Sequence, residues 1–266
     1  MSAGDSTGTS GVDREAGRPD AHADLWEVHA DWWQDGFTQG VDPEYTEQIL
    51  PLAAELLAGA AKVLDVGTGE GQIARLACDR GATTVVGLDP TRAQVVEAAR
   101  RAGGPRFVLG EAAAVPIRSG SFDAVVACLV FEHIEAIDEA IGEVARVLRP
   151  GGRFLFFLNH PLLQTPSSGW IDDQVLDPPE QYWRIGPYLE EDMTVEEVEK
   201  GVFIPFIHRP LSRYINALTD AGLVLRRMLE PAPPAGFLAR AIEYQQAATI
   251  PRLLVLVTEL SERIGC

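Results

Sequence analysis

The chain is short of cysteine, methionine and base. Its 266 residues include three cysteines, three methionines and five histidines. Cys78, Cys128 and Cys266 are scattered and share no CxxC spacing. That excludes a disulfide framework and a structural zinc site, and it fits a reducing, cytoplasmic setting. Lys and Arg number 22 against 39 Asp and Glu, a net charge of −17. A nucleic-acid backbone needs a basic face, so DNA and RNA are excluded as partners. No apolar run approaches the roughly 20 residues of a membrane span. The first 20 residues, dominated by Ser, Gly, Thr and Asp, carry no charged-then-apolar leader pattern.

With 46% hydrophobic residues, the length suffices for one sizeable core and one principal domain. Residues 1–23 have the composition of a disordered tail. An aromatic-rich segment follows, Leu25 to Phe37 with Trp26, Trp32 and Trp33, and then a helix expected from Pro43 to about Ala58. Residues 24–59 thus form an N-terminal helical cap. Beyond it, strands expected at 62–66, 84–89, 106–110, 122–128 and 152–158 alternate with helices at 71–80, 91–102 and 136–148. That alternation predicts a parallel sheet with crossover helices. Ala124–Val130 and Phe154–Leu158 are unbroken apolar runs, as strands buried on both faces require. Leu148-Arg149-Pro150-Gly151-Gly152 stops a helix sharply before the fifth strand.

After Asn159 the alternation stops. Residues 160–206 are rich in Pro, Trp and acids, too long for an ordinary connection, and predict a lid. Residues 171–200 hold ten acids against Arg184 and Lys200, a net of −8, so nearly half the chain's charge lies there. Such a run is either a solvated face or a lid that attracts a cation. A helix at 210–221, a strand at 223–230, a short helix after Pro231, Pro233 and Pro234, and a last strand at 252–258 complete the pattern.

The chemistry is concentrated in Val63-Leu64-Asp65-Val66-Gly67-Thr68-Gly69-Glu70-Gly71-Gln72, read with Asp89 at the end of the next strand. A strand, alternating glycines, a helix and a second strand ending on an acid open a Rossmann-like unit that lets backbone approach a nucleotide-like ligand. A dinucleotide loop reads G-x-G-x-x-G; here the third glycine comes one residue early and Gln72 takes its place. Asp65 and Glu70 add two carboxylates to the loop. These oppose a diphosphate, which a helix N-terminus otherwise favours, and welcome a ligand carrying an amine and a sulfonium. The loop points to S-adenosylmethionine rather than NAD.

In order and spacing, the Gly67 loop, Leu88-Asp89-Pro90, Gly110-Glu111-Ala112 through Pro116, Ser121-Phe122-Asp123-Ala124-Val125-Val126 and Leu148 through Gly152 resemble the class I S-adenosylmethionine-dependent methyltransferases. The likeness is to the UbiE/BioC-like small-molecule group (methyltransferase 11-type). It covers about residues 60–160, and the segment from His208 to Pro231 resembles that group's final helix and strand. The resemblance implies a Rossmann-like seven-stranded α/β sheet of order 3-2-1-4-5-7-6 with strand 7 antiparallel. The methyltransferase domain would then run over 60–266, with the lid at about 160–206.

It also implies site residues. Gly67, Thr68, Gly69, Gly71 and Gln72 would admit the methionine part and ribose of the cofactor, with backbone groups at the helix start providing contacts. Asp65 would receive the ammonium, and Asp89, beside Pro90, the ribose hydroxyls. Glu111 would face the adenine amino group and Ala112 N–H the ring, although many relatives carry Asp at position 111. Cys128 would lie near the methionine part, or be simply a small buried apolar residue. Where the methyl acceptor must lose a proton, histidine is the usual base. His133, His160 and His208 stand after strand four, after strand five and before the last helix; each can equally pack, bound a pocket or cap a helix. Trp33 and Tyr45 from the cap, and Trp170, Trp183 and Tyr188 from the insertion, could close over a substrate or form satellite cores.

Together these point to a methyltransferase, monomer or homodimer, acting on a small organic molecule such as a secondary metabolite, with no metal. Oxygen is favoured as acceptor over nitrogen or carbon. The alternative is a cofactor-binding cyclase or pericyclase of the same fold that transfers no methyl group.

Overall fold

The computed structural model describes residues 23–241 and 246–261; the expected N-terminal tail lies outside the described residues apart from its last position. The cap comprises α1 (Ala23–Val28), α2 (Ala30–Gly36) and α3 (Leu50–Leu56), the last entered through a π-helical turn at Tyr45–Ile49. The continuous helix expected from Pro43 therefore begins with one wider turn, which keeps both Tyr45 and Ile49 buried. The sheet strands and their helices then alternate: β1 (Lys62–Val66), α4 (Gln72–Asp79), β2 (Thr84–Asp89), α5 (Arg92–Arg101), β3 (Arg106–Leu109), β4 (Phe122–Cys128), α6 (Ile137–Val147) and β5 (Leu148–Asn159).

The insertion is not a loop. It folds as two antiparallel hairpins, β6 (Gly169–Asp173) with β7 (Glu180–Arg184), and β8 (Asp192–Glu199) with β9 (Val202–His208). Acidic composition hid β8, whose side chains are mostly exposed. The chain closes with α7 (Leu211–Asp220), β10 (Leu223–Leu229), α8 (Ala235–Arg240) and β11 (Leu253–Leu260).

Seven strands form one sheet in the order β10-β11-β5-β4-β1-β2-β3. β1 to β5 are parallel, and β11 runs antiparallel between β5 and β10. With β10 and β11 as sixth and seventh sheet strands, this is the expected 3-2-1-4-5-7-6 order. Successive side chains of β5 enter opposite cores, as the period of two requires. Phe154, Phe156 and Leu158 pack with α6 and α7; Leu155 and Phe157 pack on the face covered by α3 and α4. Burial on both faces explains why these strands are continuous apolar runs.

Asp123 ties the sheet together at its lower edge. Its Oδ2 accepts the N–H groups of Ala61 and Lys62, each at 3.0 Å, where β1 begins, and its Oδ1 pairs with Arg149 at 2.7 Å. Asp123→Ala should lower unfolding free energy by about 1–2 kcal/mol, since it leaves two backbone donors without their acceptor. Chemical denaturation would measure this, with ligand binding at the opposite strand ends unaffected.

Candidate active site

The C-terminal ends of β1 and β2 set the site, where open α/β sheets bind ligands. β1 delivers Asp65 and turns through the glycine loop into α4. Gly67 has a φ of +68°, and a Cβ there would meet the Val130 side chain at 2.4 Å, so only glycine fits. The loop is held by its own backbone: N–H of Gly67 and Thr68 donate to Leu88 O, N–H of Gly71 to Thr68 O, and N–H of Gly69 to Asp89 Oδ2 at 2.8 Å. These donors, expected from the sequence to serve a ligand, are engaged within the protein.

Asp89 also accepts Thr91 N–H through Oδ1 at 2.9 Å, so its carboxylate is clamped between the loop and the start of α5. Each oxygen keeps acceptor capacity for a further hydrogen bond. Asp65 accepts the Thr68 hydroxyl at 2.6 Å. Burial pushes the Asp65 carboxyl up to about 7, against the lowering effect of Thr68. Burial likewise raises Asp89, against its two backbone donors.

A cavity of about 510 Å³ opens over these groups. Asp65, Gly67, Thr68, Gly69, Gln72, Asp89 and Pro90 line it from one side, and Glu111, Ala112 and Cys128 from the others. Gly71 is not on its wall. With φ at +89°, Gly71 starts α4 against Phe107, whose ring a Cβ would strike at 2.6 Å, so it serves packing. Glu70 differs from expectation too. Its carboxylate turns into an ion pair with Arg75 and another with Arg101 at 3.0 Å, and is neutralised there. The Cys128 thiol lies 3.8 Å from the buried Tyr45 hydroxyl, and burial raises both groups, keeping each neutral.

Among the described residues, the cavity wall includes Asp65, Glu70, Asp89, Glu111 and Glu135 and no Lys or Arg, and of these acids Glu70 is the one with ion-pair partners. A buried anion without a partner is costly. The wall therefore fits a cationic ligand bearing an ammonium and a sulfonium, and it lacks the charge a diphosphate requires.

Aromatic side chains roof the cavity. Trp33 stacks on Phe37 with centroids 4.5 Å apart, and its indole nitrogen comes within 3.4 Å of a Cβ built on Gly69. Trp26 meets His133 edge-on at 4.8 Å, and Phe206 of β9 meets the other side at 4.7 Å. A second cavity of about 310 Å³ lies beyond; Trp26, Trp33, Tyr45, Leu129 and His133 border both. At 2.6 Å from Pro205 O, His133 Nδ1 carries the proton and donates it, which leaves the Nε2 lone pair free. Burial lowers His133 to about 4, so the ring is neutral at physiological pH.

The structure does not bring the other candidates here. His160 is buried beyond the sheet edge, its Nε2 at 2.8 Å from Glu230 and its Nδ1 accepting Leu162 N–H. His208 Nε2 donates to Tyr188 O at 2.8 Å, and Tyr188 OH accepts Leu211 N–H at the start of α7. Trp170 and Trp183 face each other across the β6–β7 hairpin with centroids 5.6 Å apart. None of these five borders either cavity.

Two contributors escaped the sequence reading. Trp26 lay in the aromatic segment, but no spacing separated it from its neighbours. Arg209, buried beside His208, donates to the carbonyls of Phe131 (3.1 Å), Ile134 (2.8 Å) and Glu135 (3.1 Å), fixing the turn that holds His133. A cation inside the apolar stretch Ile204–Leu211 was its only signal.

A sheet of this order, with acids ending its first two strands and a glycine loop between, defines the Rossmann-like methyltransferase class. The comparisons agree. Residues 64–156 match the family described as "Methyltransferase domain". An uncharacterized methyltransferase of Mycobacterium tuberculosis is 38% identical over 186 residues, 68% of this chain and 67% of the relative. The malonyl-[acyl-carrier protein] O-methyltransferase of Enterobacter lignolyticus is 35% identical over 36% of this chain and 38% of its own. The ubiquinone/menaquinone biosynthesis C-methyltransferase UbiE of Methylobacterium nodulans is 40% identical over 35% and 40%. In structure, an S-adenosylmethionine-dependent methyltransferase from Mesorhizobium loti superposes with a TM-score of 0.68 at 24% identity, over 82% of this chain and 98% of that one. The chain belongs to the class I S-adenosylmethionine-dependent methyltransferases. It spans about two-fifths to a half of the length of the curated relatives named for a reaction.

A cation bound against Asp65 prefers the ionised carboxylate, so affinity should fall as pH drops through about 7. Calorimetric titration with S-adenosylmethionine should show binding about tenfold weaker at pH 6 than at pH 8. Asp65→Asn should bind weakly and lose most of that pH dependence. In the unliganded protein the sign reverses: the raised carboxyl contributes stability below its ordinary value near 4, lost as pH rises towards 7.

Proposed function

We propose that this protein transfers a methyl group from S-adenosylmethionine to a small organic acceptor held in the second cavity. The observation that carries this reading is a cavity lined by five carboxylates and no Lys or Arg among the described residues, joined to an aromatic chamber across a wall that includes His133. In this reading Asp89 accepts the ribose hydroxyls, Asp65 receives the ammonium, Glu111 and Ala112 border the adenine, and Cys128 flanks the methionine part. Gly67, Thr68, Gly69 and Gln72 give the close approach. The domain boundaries follow: a cap over 24–59, and a catalytic domain from 60 onward with the insertion as its lid.

The cofactor supplies a methyl carbon already activated by a positive sulfur. What remains for the chain is to align the acceptor, exclude water and take a proton. The aromatic roof of Trp26, Trp33 and Phe206 performs the exclusion. For a hydroxyl acceptor, the bound cofactor would give up its methyl group to the oxygen and leave as a neutral thioether, while the chain holds that oxygen in line. The hydroxyl proton passes to His133 Nε2. A weakly basic imidazole suffices, because the oxygen becomes strongly acidic as the new bond forms. Oxygen is therefore the first choice of acceptor atom. The relatives are named for both O- and C-methyl transfer, so carbon is the next.

Full-length protein incubated with S-adenosylmethionine and a panel of phenols, alcohols and amines should release S-adenosylhomocysteine in proportion to methylated product. His133→Phe should lower kcat by about 10²-fold with cofactor affinity retained. Turnover of an acceptor with no demethylated cofactor formed would overturn methyl transfer in favour of a cyclase-type reaction.

A further inference from the structure

Built on that reading, the second cavity carries information about which acceptor it takes. Its walls are aromatic on the cap side (Trp32, Trp33, Phe37) and include Phe206 of β9 opposite. Trp32 and Phe37 meet edge-on at 5.0 Å, so flat surfaces already line the space. Of the charged residues described there, three are acids, Asp42, Glu44 and Glu196, and one is a base, Arg252. That base is committed. Its Nε lies 2.8 Å from Glu44 and its guanidinium stacks over Phe237 at 4.3 Å. Asp42 feels Arg240 and Arg252 without an ion pair to either, Glu196 has no ion pair among the described residues, and the neutral His133 adds no charge.

A separate observation concerns Gln48. It is 7% exposed, on the cavity wall, and its amide nitrogen donates to Ala232 O at 2.6 Å, which fixes which end is oxygen. The Oε1 is buried with no hydrogen-bond partner. A buried acceptor left unpaired is unfavourable, and a ligand that brings a donor to it relieves that. The cavity is also bridged on one side by a strap. Trp32 Nε1 donates to Glu199 Oε2 at 2.9 Å and Phe203 N–H to His29 Nε2 at 3.3 Å, so the β8–β9 hairpin is fastened to the cap. At about 310 Å³, the partly open space suits a molecule of one or two rings.

We infer that this chamber selects a flat, uncharged or cationic acceptor that offers an N–H or O–H to Gln48, and that it rejects carboxylated and phosphorylated ones. Three indoles of matched shape test it: tryptophol, tryptamine and indole-3-acetate, titrated calorimetrically into full-length protein saturated with S-adenosylhomocysteine. Tryptophol and tryptamine should bind at least about tenfold more tightly than indole-3-acetate. Glu196→Lys, on an exposed strand, should shrink that gap to about threefold, and Gln48→Leu should weaken tryptophol by about tenfold. Indole-3-acetate binding as well as tryptophol, or no indole binding to protein that holds S-adenosylhomocysteine, would overturn the inference alone. Failure of S-adenosylhomocysteine itself to bind would instead remove the cofactor assignment beneath it.

Discussion

Two carboxylates brought to the ends of adjacent buried strands are the constraint around which this site is organised. Asp65 and Asp89 are almost fully buried, and neither has a basic side chain beside it. Their burial is unfavourable to the free protein, which is why both carboxyls titrate high. The fold tolerates this because local donors take part of the load: the backbone N–H groups of Gly69 and Thr91 for Asp89, the side-chain hydroxyl of Thr68 for Asp65. A cationic ligand completes what they leave unfinished. Ligand charge and protein stability are thus coupled through the same two side chains.

That coupling also sets what the glycine loop is for. In nucleotide-binding loops of this shape, free N–H groups face a phosphate. Here the loop spends its donors on Leu88, Thr68 and Asp89, so the glycines provide shape without a positive field. Glu70, the further acid of the loop itself, is drawn off by Arg75 and Arg101. Selectivity between a sulfonium and a diphosphate follows from the loop's internal bonding as much as from its residue types.

The sheet was legible because its determinants are local. Unbroken apolar runs, glycine at obligatory positive φ and sharp helix stops mark β1 to β5 to within a residue or two, except that β5 begins early, at Leu148. The cofactor cavity was legible for the same reason, since its walls come from strand ends and the turns that follow them. The acceptor side was not. His133, His160 and His208 occupy equivalent-looking positions after strands, and only the path of β9 and the Arg209 clamp decide that His133 faces the cavities. The acidic run 190–199 gave no apolar alternation, because β8 is paired on one side and solvated on most of its surface. Trp170 and Trp183 pack edge to face across their own hairpin, a pairing that depends on strand register and on no motif.

Division of labour between the two halves of the site follows from this. The sheet supplies a rigid, charged floor whose geometry is fixed by backbone hydrogen bonds and two apolar cores. The cap and the second hairpin supply a roof whose contacts to one another are few and polar, Trp32 to Glu199 and His29 to Phe203, near solvent where such bonds contribute little. His133 stands where the two meet, its ring held from below by the turn that Arg209 fixes and from above by Pro205 of β9.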